Sequence, residues 1–331
     1  MAKIDAVVTG AGGFIGGHLT KALLAEGKTV RAVDIKPLNE WYQRFDTAEE
    51  VVADVSLLGE ARSVLDGGAG EVFNLAADMG GMGFIENNKA ACMLSVLTST
   101  HVLMAAKEAG VDRFFYSSSA CVYAADKQTD ADIVALKEED AYPAMPEDGY
   151  GWEKLFSERL ARHFREDYGM ATRIARFHNI YGPNGTWDGG REKAPAAACR
   201  KVATAVLTGN HEIEIWGDGL QTRSFTYVDD CVDGILRVTR GDFDEPINVG
   251  SSEVVTINQL YALVADIAGV EISYKHVPGA LGVRGRNSDN TLILKEFGWE
   301  PSTRLRDGIA RTYAWILEQA KAKAAGLAYT N

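Results

Sequence analysis

Tyr150 and Lys154 stand four residues apart in Tyr150-Gly151-Trp152-Glu153-Lys154, a spacing that puts both on one face of a helix. An ammonium beside a phenol lowers the phenol pKa, so that Tyr150 can take a proton from a substrate hydroxyl while hydride leaves the same carbon. The pair occurs often by chance and gains weight from its companions. The run Phe114-Phe115-Tyr116-Ser117-Ser118-Ser119 reads as a strand ending in a hydroxyl. Near the start, Gly10-Ala11-Gly12-Gly13-Phe14-Ile15-Gly16 places Gly10, Gly13 and Gly16 where a strand turns into a helix that opens at Phe14 and Ile15. Glycines there permit a tight turn, close backbone approach to a pyrophosphate and close helix–sheet packing.

These residues need a scaffold that brings strand ends together. Apolar, β-branched runs at 5–9, 29–34, 51–53, 71–75, 113–118 and 171–176 alternate with helical periodicity at 14–26, 56–65, 89–110 and 150–168. This is the pattern of an α/β fold, a Rossmann-type doubly wound parallel sheet. Asp34 ends the second strand about 20 residues beyond the glycines, where a carboxylate accepts hydrogen bonds from both ribose hydroxyls and disfavours a 2′-phosphate. The expected cofactor is therefore NAD, with Asp54 and Val55 at the adenine edge and Ala76, just past the fourth strand, completing the cofactor set.

Past Arg176 the rhythm loosens into Gly/Pro-containing loops, with helices expected at 194–207, 229–239, 257–268 and 305–323 and short strands at 213–216 and 247–249. The expected division is a Rossmann domain over 1–176, to which part of the later chain returns, a smaller C-terminal α/β substrate lobe over 177–323, and a frayed tail over 324–331. The polar, acidic stretch 124–147 reads as a surface excursion.

The 331 residues carry a formal charge of −12, which argues against nucleic acid or an acidic membrane as partner. Within this acidic chain, 272–288 holds Lys275, Arg284 and Arg286 and no acid, a cationic patch sized for one diphosphate. Cys92, Cys121, Cys199 and Cys231 show no metal-ligand or disulfide spacing, so no metal is expected and a reducing, cytoplasmic setting is. A strand-like run begins almost at Met1, and no stretch is expected to approach the roughly 18 apolar residues that a membrane span needs.

The glycine fingerprint, the serine-ending strand and the Tyr-Lys pair together resemble the extended short-chain dehydrogenase/reductase family of nucleotide-sugar epimerases and dehydratases. Further segments are similar to its GDP-mannose 3,5-epimerase branch: Asn74 to Ile85 with its Met-Gly-Gly-Met-Gly loop, Ser118 to Tyr123 with Ala120-Cys121, Arg176 to Pro183, Gly189 to Ala197, Trp216 to Phe225 and Val283 to Asp289. The similarity covers roughly 7–319. It implies that Ser119, Tyr150 and Lys154 act in hydride transfer at sugar carbon 4, with Cys121 as base and Lys193 as acid for inversion at carbons 3 and 5. A thiolate suits cationic surroundings, although a lone cysteine most commonly fills a small apolar niche and Lys193 alone reads equally as a surface cation. Pro195 places Lys193 at the entrance of a helix.

The substrate, GDP-mannose or a related nucleotide sugar, is expected to meet Met79, Gly80, Gly81, Ser119, Asn179, Glu192, Lys193, Lys201, Arg223 and Arg286, with Arg191 and Arg284 in reserve. Gly80, Gly81 and Gly83 are expected to let the backbone pass close to the sugar. The resemblance also implies a homodimer built from the helices at 89–110 and 150–168. Ala124-Ala125 stands where the plant enzymes carry Pro-Glu, and 203–212 has extra residues near the expected base pocket, so base identity and product ratio stay open. The other readings are an epimerase or 4,6-dehydratase of another nucleotide sugar, disfavoured by Ala120-Cys121, and a non-catalytic NAD-binding protein on the same fold.

Overall fold

The computed structural model describes residues 4–132, 134–280 and 282–330. The first half runs β1 (Ile4–Thr9), α1 (Phe14–Ala25), β2 (Val30–Asp34), β3 (Glu49–Val52), α2 (Leu58–Val64), β4 (Ala69–Asn74), α3 (Met82–Asn87), α4 (Lys89–Glu108), β5 (Arg113–Ser119), α5 (Tyr150–Tyr168) and β6 (Thr172–Phe177). There follow β7 (Ile180–Tyr181), α6 (Ala194–Thr208), β8 (Glu212–Trp216), β9 (Thr222–Ser224), β10 (Thr226–Tyr227), α7 (Val228–Arg240), β11 (Ile247–Val249), β12 (Val254–Thr256), α8 (Ile257–Ala268), β13 (Ser273–Val277), β14 (Gly285–Arg286), α9 (Thr291–Phe297) and α10 (Leu305–Ala324).

Seven strands form one sheet in the order β11-β6-β5-β4-β1-β2-β3, and every pair in it is parallel. Both faces are covered, which is why Val7-Val8, Val72-Phe73 and Phe114-Phe115 are apolar without alternation and almost completely buried. The register sets Thr9 opposite both Val33 and Asn74, and Ser119 opposite Phe177. The carboxyl ends therefore share one edge, and the strand order reverses at β1 and β4, where a sheet of this kind opens its ligand crevice. The chain returns to this sheet through β11, beside β6, and through α7, which packs against α1, β5 and β6. In the second lobe, α6, α8 and α10 pack together, and their core is continuous with that of the sheet.

The helices other than α3 and α9, and the longer strands other than β13, match their expected positions to within a few residues; β13 (Ser273–Val277), half-buried to exposed along its length, was not expected. The two-residue and three-residue strands β7, β9, β10, β12 and β14 and the helices α3 and α9 carry too little periodicity to be read in advance. Three other expectations are corrected. The helix α4 is in fact long and apolar enough to cross a membrane by length and composition, but it buries Cys92, Ser95, Ser99, Val102, Leu103, Ala105 and Ala106 and packs against α2 and α5. The stretch 124–147 is less a surface excursion than a bridge between lobes. Leu136 and Ala141 join a buried cluster with Tyr123 and Leu155, Leu136 N–H donates to Asn287 O, and Arg284 N–H donates to Gln128 O. The tail is docked instead of frayed: Tyr329 packs edge-on against Trp187 at 5.9 Å, Trp187 Nε1 donates to Thr330 O, and Thr330 N–H donates to Gln319 Oε1 at 2.8 Å. Asn331 lies outside the described residues.

Candidate active site

The strand β5 ends at Ser119, and a single tight turn, Ala120–Val122, carries Cys121; the Ser119 hydroxyl accepts the Cys121 N–H at 3.2 Å. The amino end of α5 packs directly on this turn. Gly151 permits it, since a Cβ there would stand 2.3 Å from Cys121 O. Tyr150 and Cys121 consequently share a buried cluster with Ile85 and Cys92, against which Met79 and Phe84 pack. Lys154, one turn along, is buried with its Nζ 5.5 Å from the centre of the Tyr150 ring and 4.9 Å from that of Tyr116.

The electrostatics correct one expectation. Burial, then the neighbouring Cys121 and Glu153 groups, hold the Tyr150 phenol well above the usual tyrosine range, against a lowering hydrogen bond with Ser119. The Lys154 ammonium itself faces Glu153 Oε2 at 3.7 Å.

Lys193 caps the amino end of α6, with Pro195 in the first turn. Burial pushes its ammonium below the usual lysine range, with Cys121 and Cys231 opposing. Lys193 from the second lobe and Cys121 from the first thus share one neighbourhood. Arg286 reaches the same thiol, its Nη1 donating to Cys121 Sγ at 3.6 Å, its Nε to Gln128 Oε1 at 2.7 Å and its Nη2 to Glu147. Arg223 is also buried, which brings its guanidinium down to about 10, again with Cys121 opposing. The surroundings of Cys121 are cationic, as a thiolate requires.

Several residues expected on the substrate are engaged by protein. Arg286 is paired with Glu147, Arg284 forks onto Asp218 at 2.8 and 2.9 Å, and Lys275 meets Glu214 at 3.0 Å, so the cationic patch of 272–288 is balanced by acids from elsewhere in the chain. Lys201 Nζ donates to Glu214 O at 2.5 Å, and Arg223 donates to Thr222 O and Val283 O. Arg191 pairs with Asp78 and lies over the Phe84 ring. Glu192 accepts from Arg200 and from Gly190 N–H. Asn179, at φ 47°, spends its Nδ2 on Ser224 O. The Met-Gly loop also makes a protein contact: Gly81 N–H donates to Arg191 O at 2.9 Å, and a Cβ on Gly81 would stand 2.5 Å from Glu192 O. At Gly80 a Cβ would meet Phe84, and at Gly83 it would touch Trp216.

The crevice edge fits a dinucleotide. Gly10 takes φ +78°, and a Cβ there would stand 2.9 Å from Ala76 N; on Gly16 it would stand 2.1 Å from Gly10 O. Gly13 begins α1 with no side-chain cap, and the Phe14 ring packs on His18, so the first-turn amides are what Phe14 and Ile15 offer a phosphate. Asp34 is buried at the end of β2, accepting Lys36 N–H at 3.0 Å. Asp54 accepts Ser56 N–H beside buried Val55.

Gln128, Glu147 and Glu153 were not expected. The first two lie in the irregular stretch 124–147, where no spacing marks them; Glu153 had a signal, a charged residue inside the Tyr-Lys helix on a face that packs against α4.

A parallel sheet with a glycine cradle at its switch point and a Ser-Tyr-Lys set at its carboxyl edge defines a dinucleotide-dependent enzyme built for hydride transfer. Residues 6–250 match the model of the NAD dependent epimerase/dehydratase family, and the chain belongs to that family. Within it, the chain is 49% identical over 321 residues to the GDP-mannose 3,5-epimerase of Arabidopsis thaliana, covering 96% of this chain and 84% of the relative. It is 48% identical over 318 residues to GDP-mannose 3,5-epimerase 1 of Oryza sativa subsp. japonica, covering 96% and 82%. The structure of UDP-glucose 4-epimerase from Thermotoga maritima with UDP-glucose is similar at a TM-score of 0.85 and 25% identity, over 95% of this chain and 99% of that one.

Folded Lys193 holds its proton less tightly than the unfolded chain does, so stability rises with pH from the lowered folded value up to the ordinary 10.5. Lys193→Met removes that cost. The variant should unfold at higher urea than the parent at pH 7, with an advantage that shrinks by pH 10, as urea titrations at the two pH values will show.

Proposed function

We propose that this enzyme inverts GDP-D-mannose at carbons 3 and 5 to GDP-L-galactose, and at carbon 5 alone to GDP-L-gulose. The observation that carries the reading is the meeting of Cys121 and Lys193, from different lobes, beside Tyr150 and Ser119, in a chain 48–49% identical to named GDP-mannose 3,5-epimerases. Gly10, Gly13, Phe14, Ile15, Gly16, Asp34, Asp54, Val55 and Ala76 would hold NAD, which would supply reversible hydride acceptance at carbon 4; the resulting ketone would acidify the hydrogens on carbons 3 and 5.

The chain's own residues do the proton work. Ser119 holds the carbon-4 hydroxyl and Tyr150 takes its proton, with Lys154 as the nearby charge. Cys121, whose Sγ accepts from Arg286 Nη1, removes a proton from one face of the ring. Lys193, whose ammonium burial makes a readier acid, delivers one to the other face. We assign the sugar and diphosphate to Met79, Gly80, Gly81, Asn179, Glu192, Lys201 and Arg223, and an arriving anion can draw Arg286 and Arg223 from their present partners.

In deuterium oxide, the enzyme should place deuterium at carbons 3 and 5 of GDP-mannose. Tyr150→Phe should slow this about 100-fold or more. Cys121→Ala should retain oxidation at carbon 4 and lose the exchange; absence of exchange in NAD-loaded parent enzyme would remove the epimerase reading.

The working unit we propose is a homodimer. Support comes from large apolar side chains left uncovered on α4 (Met93, Leu94, Leu97) and α5 (Trp152, Phe156), two helices that pack side by side. Leu94→Glu with Leu97→Glu should reduce the sedimenting mass to that of one 35.8 kDa chain. The four unpaired, buried cysteines support a reducing, cytoplasmic setting.

A further inference from the structure

The helix that presents Tyr150 and Lys154 also carries Glu153, a carboxylate with no part in the chemistry above. Its side chain is wholly buried, at 0% exposure. Three hydroxyls converge on one of its oxygens: Ser99 of α4 at 3.2 Å, Tyr116 of β5 at 3.1 Å and Ser157 of α5 at 3.0 Å all donate to Oε1. Oε2 is buried and receives no hydrogen bond among the described residues. What it faces is Lys154 Nζ at 3.7 Å. That ammonium also lies over the Tyr116 ring, whose hydroxyl is bound to Glu153, so cation, ring and carboxylate form one closed set.

A buried carboxylate is tolerated only when paired and hydrogen-bonded. Here the donors are distributed unevenly, and the effect is directional: three hydroxyls fix one oxygen and aim the other at a single cation. We propose that Glu153 is a positioning residue of the hydride-transfer set, the counter-ion that fixes where Lys154 stands and limits how far that cation favours the Tyr150 phenolate. The inference rests on the reading of Tyr150 as proton acceptor. Tyr150 is faced by Cys121 from the turn after β5, Cys92 from α4, Tyr116 from β5, and Glu153 and Lys154 from its own helix. Of these, Cys121, then Glu153 and Cys92, oppose phenolate formation by charge, and Glu153 is the one that also faces Lys154.

The holoenzyme tests this with Glu153→Gln, which keeps an oxygen for the three hydroxyls and removes the charge. The acid limb of the kcat/KM profile for GDP-mannose should move to lower pH by about one unit, and Glu153→Asp should return it toward the parent position. An unmoved acid limb in a folded Glu153→Gln enzyme would overturn the proposal. A second measurement needs no turnover. Glu153→Gln should lower the urea midpoint in the parent, where it strands a buried cation, and much less in a Lys154→Met background. Equal losses in both backgrounds would make Glu153 a structural residue only. If no variant or parent turns over GDP-mannose, the functional reading fails, while the midpoint comparison still decides whether Glu153 and Lys154 are paired.

Discussion

The contact of Gly81 with the backbone of residues 191 and 192 fixes the two lobes to one another, and the proton chemistry depends on it. Gly81 N–H is bound to Arg191 O at 2.9 Å, and the missing Cβ leaves only enough room for Glu192 O. Lys193 is the next residue. A side chain at position 81 would push the lobes apart at the point where the proposed acid, Lys193, faces the proposed base, Cys121. The segment is held from its other sides too: Arg191 by Asp78 and the Phe84 ring, Glu192 by Arg200, Asp188 by Arg200 and Lys323, and Trp187 by the docked tail. The close approach sets the distance, and the surrounding ion pairs and rings keep the segment from swinging.

Around that joint, charge is balanced in place. Each cation of the 272–288 stretch has a carboxylate partner, Arg176 forks onto Glu158 in the core, and Lys154 faces Glu153. Buried charges are retained where they are paired, as these are. Cys121 is the exception that gives the site its direction: Arg286, Arg223 and Lys193 all bear on it. Arg286 and Arg223 are also the residues we assign to an incoming diphosphate.

Much of this was legible in the residues. The parallel sheet could be read from its continuous apolar runs, and the places of Gly10, Asp34, Ser119, Tyr150 and Lys154 followed from their order along strand and helix. The partners of the charges could not be read. Arg286 meets Glu147 across a separation of 139 residues, and Arg284 meets Asp218 across 66. Nothing in spacing encodes such pairs, so 272–288 looked cationic when it is compensated. The role of Gly81 was hidden for the same reason: its neighbour is a backbone oxygen of the other lobe, and a glycine near an expected sugar site reads equally well as room for ligand. Glu153 was in plain view inside the Tyr-Lys motif, but its burial shows only once Ser99 and Tyr116 have converged on it.

The account's central claim is that the Gly81 joint holds Lys193 against Cys121 for proton exchange. Gly81→Ala, assayed in deuterium oxide with GDP-mannose and shown to bind NAD as the parent does, tests it most directly. The account predicts that oxidation at carbon 4 persists while deuterium entry at carbons 3 and 5 slows at least about tenfold, the loss expected from a displacement on the order of 1 Å or less. Deuterium entry at the parent rate would contradict it.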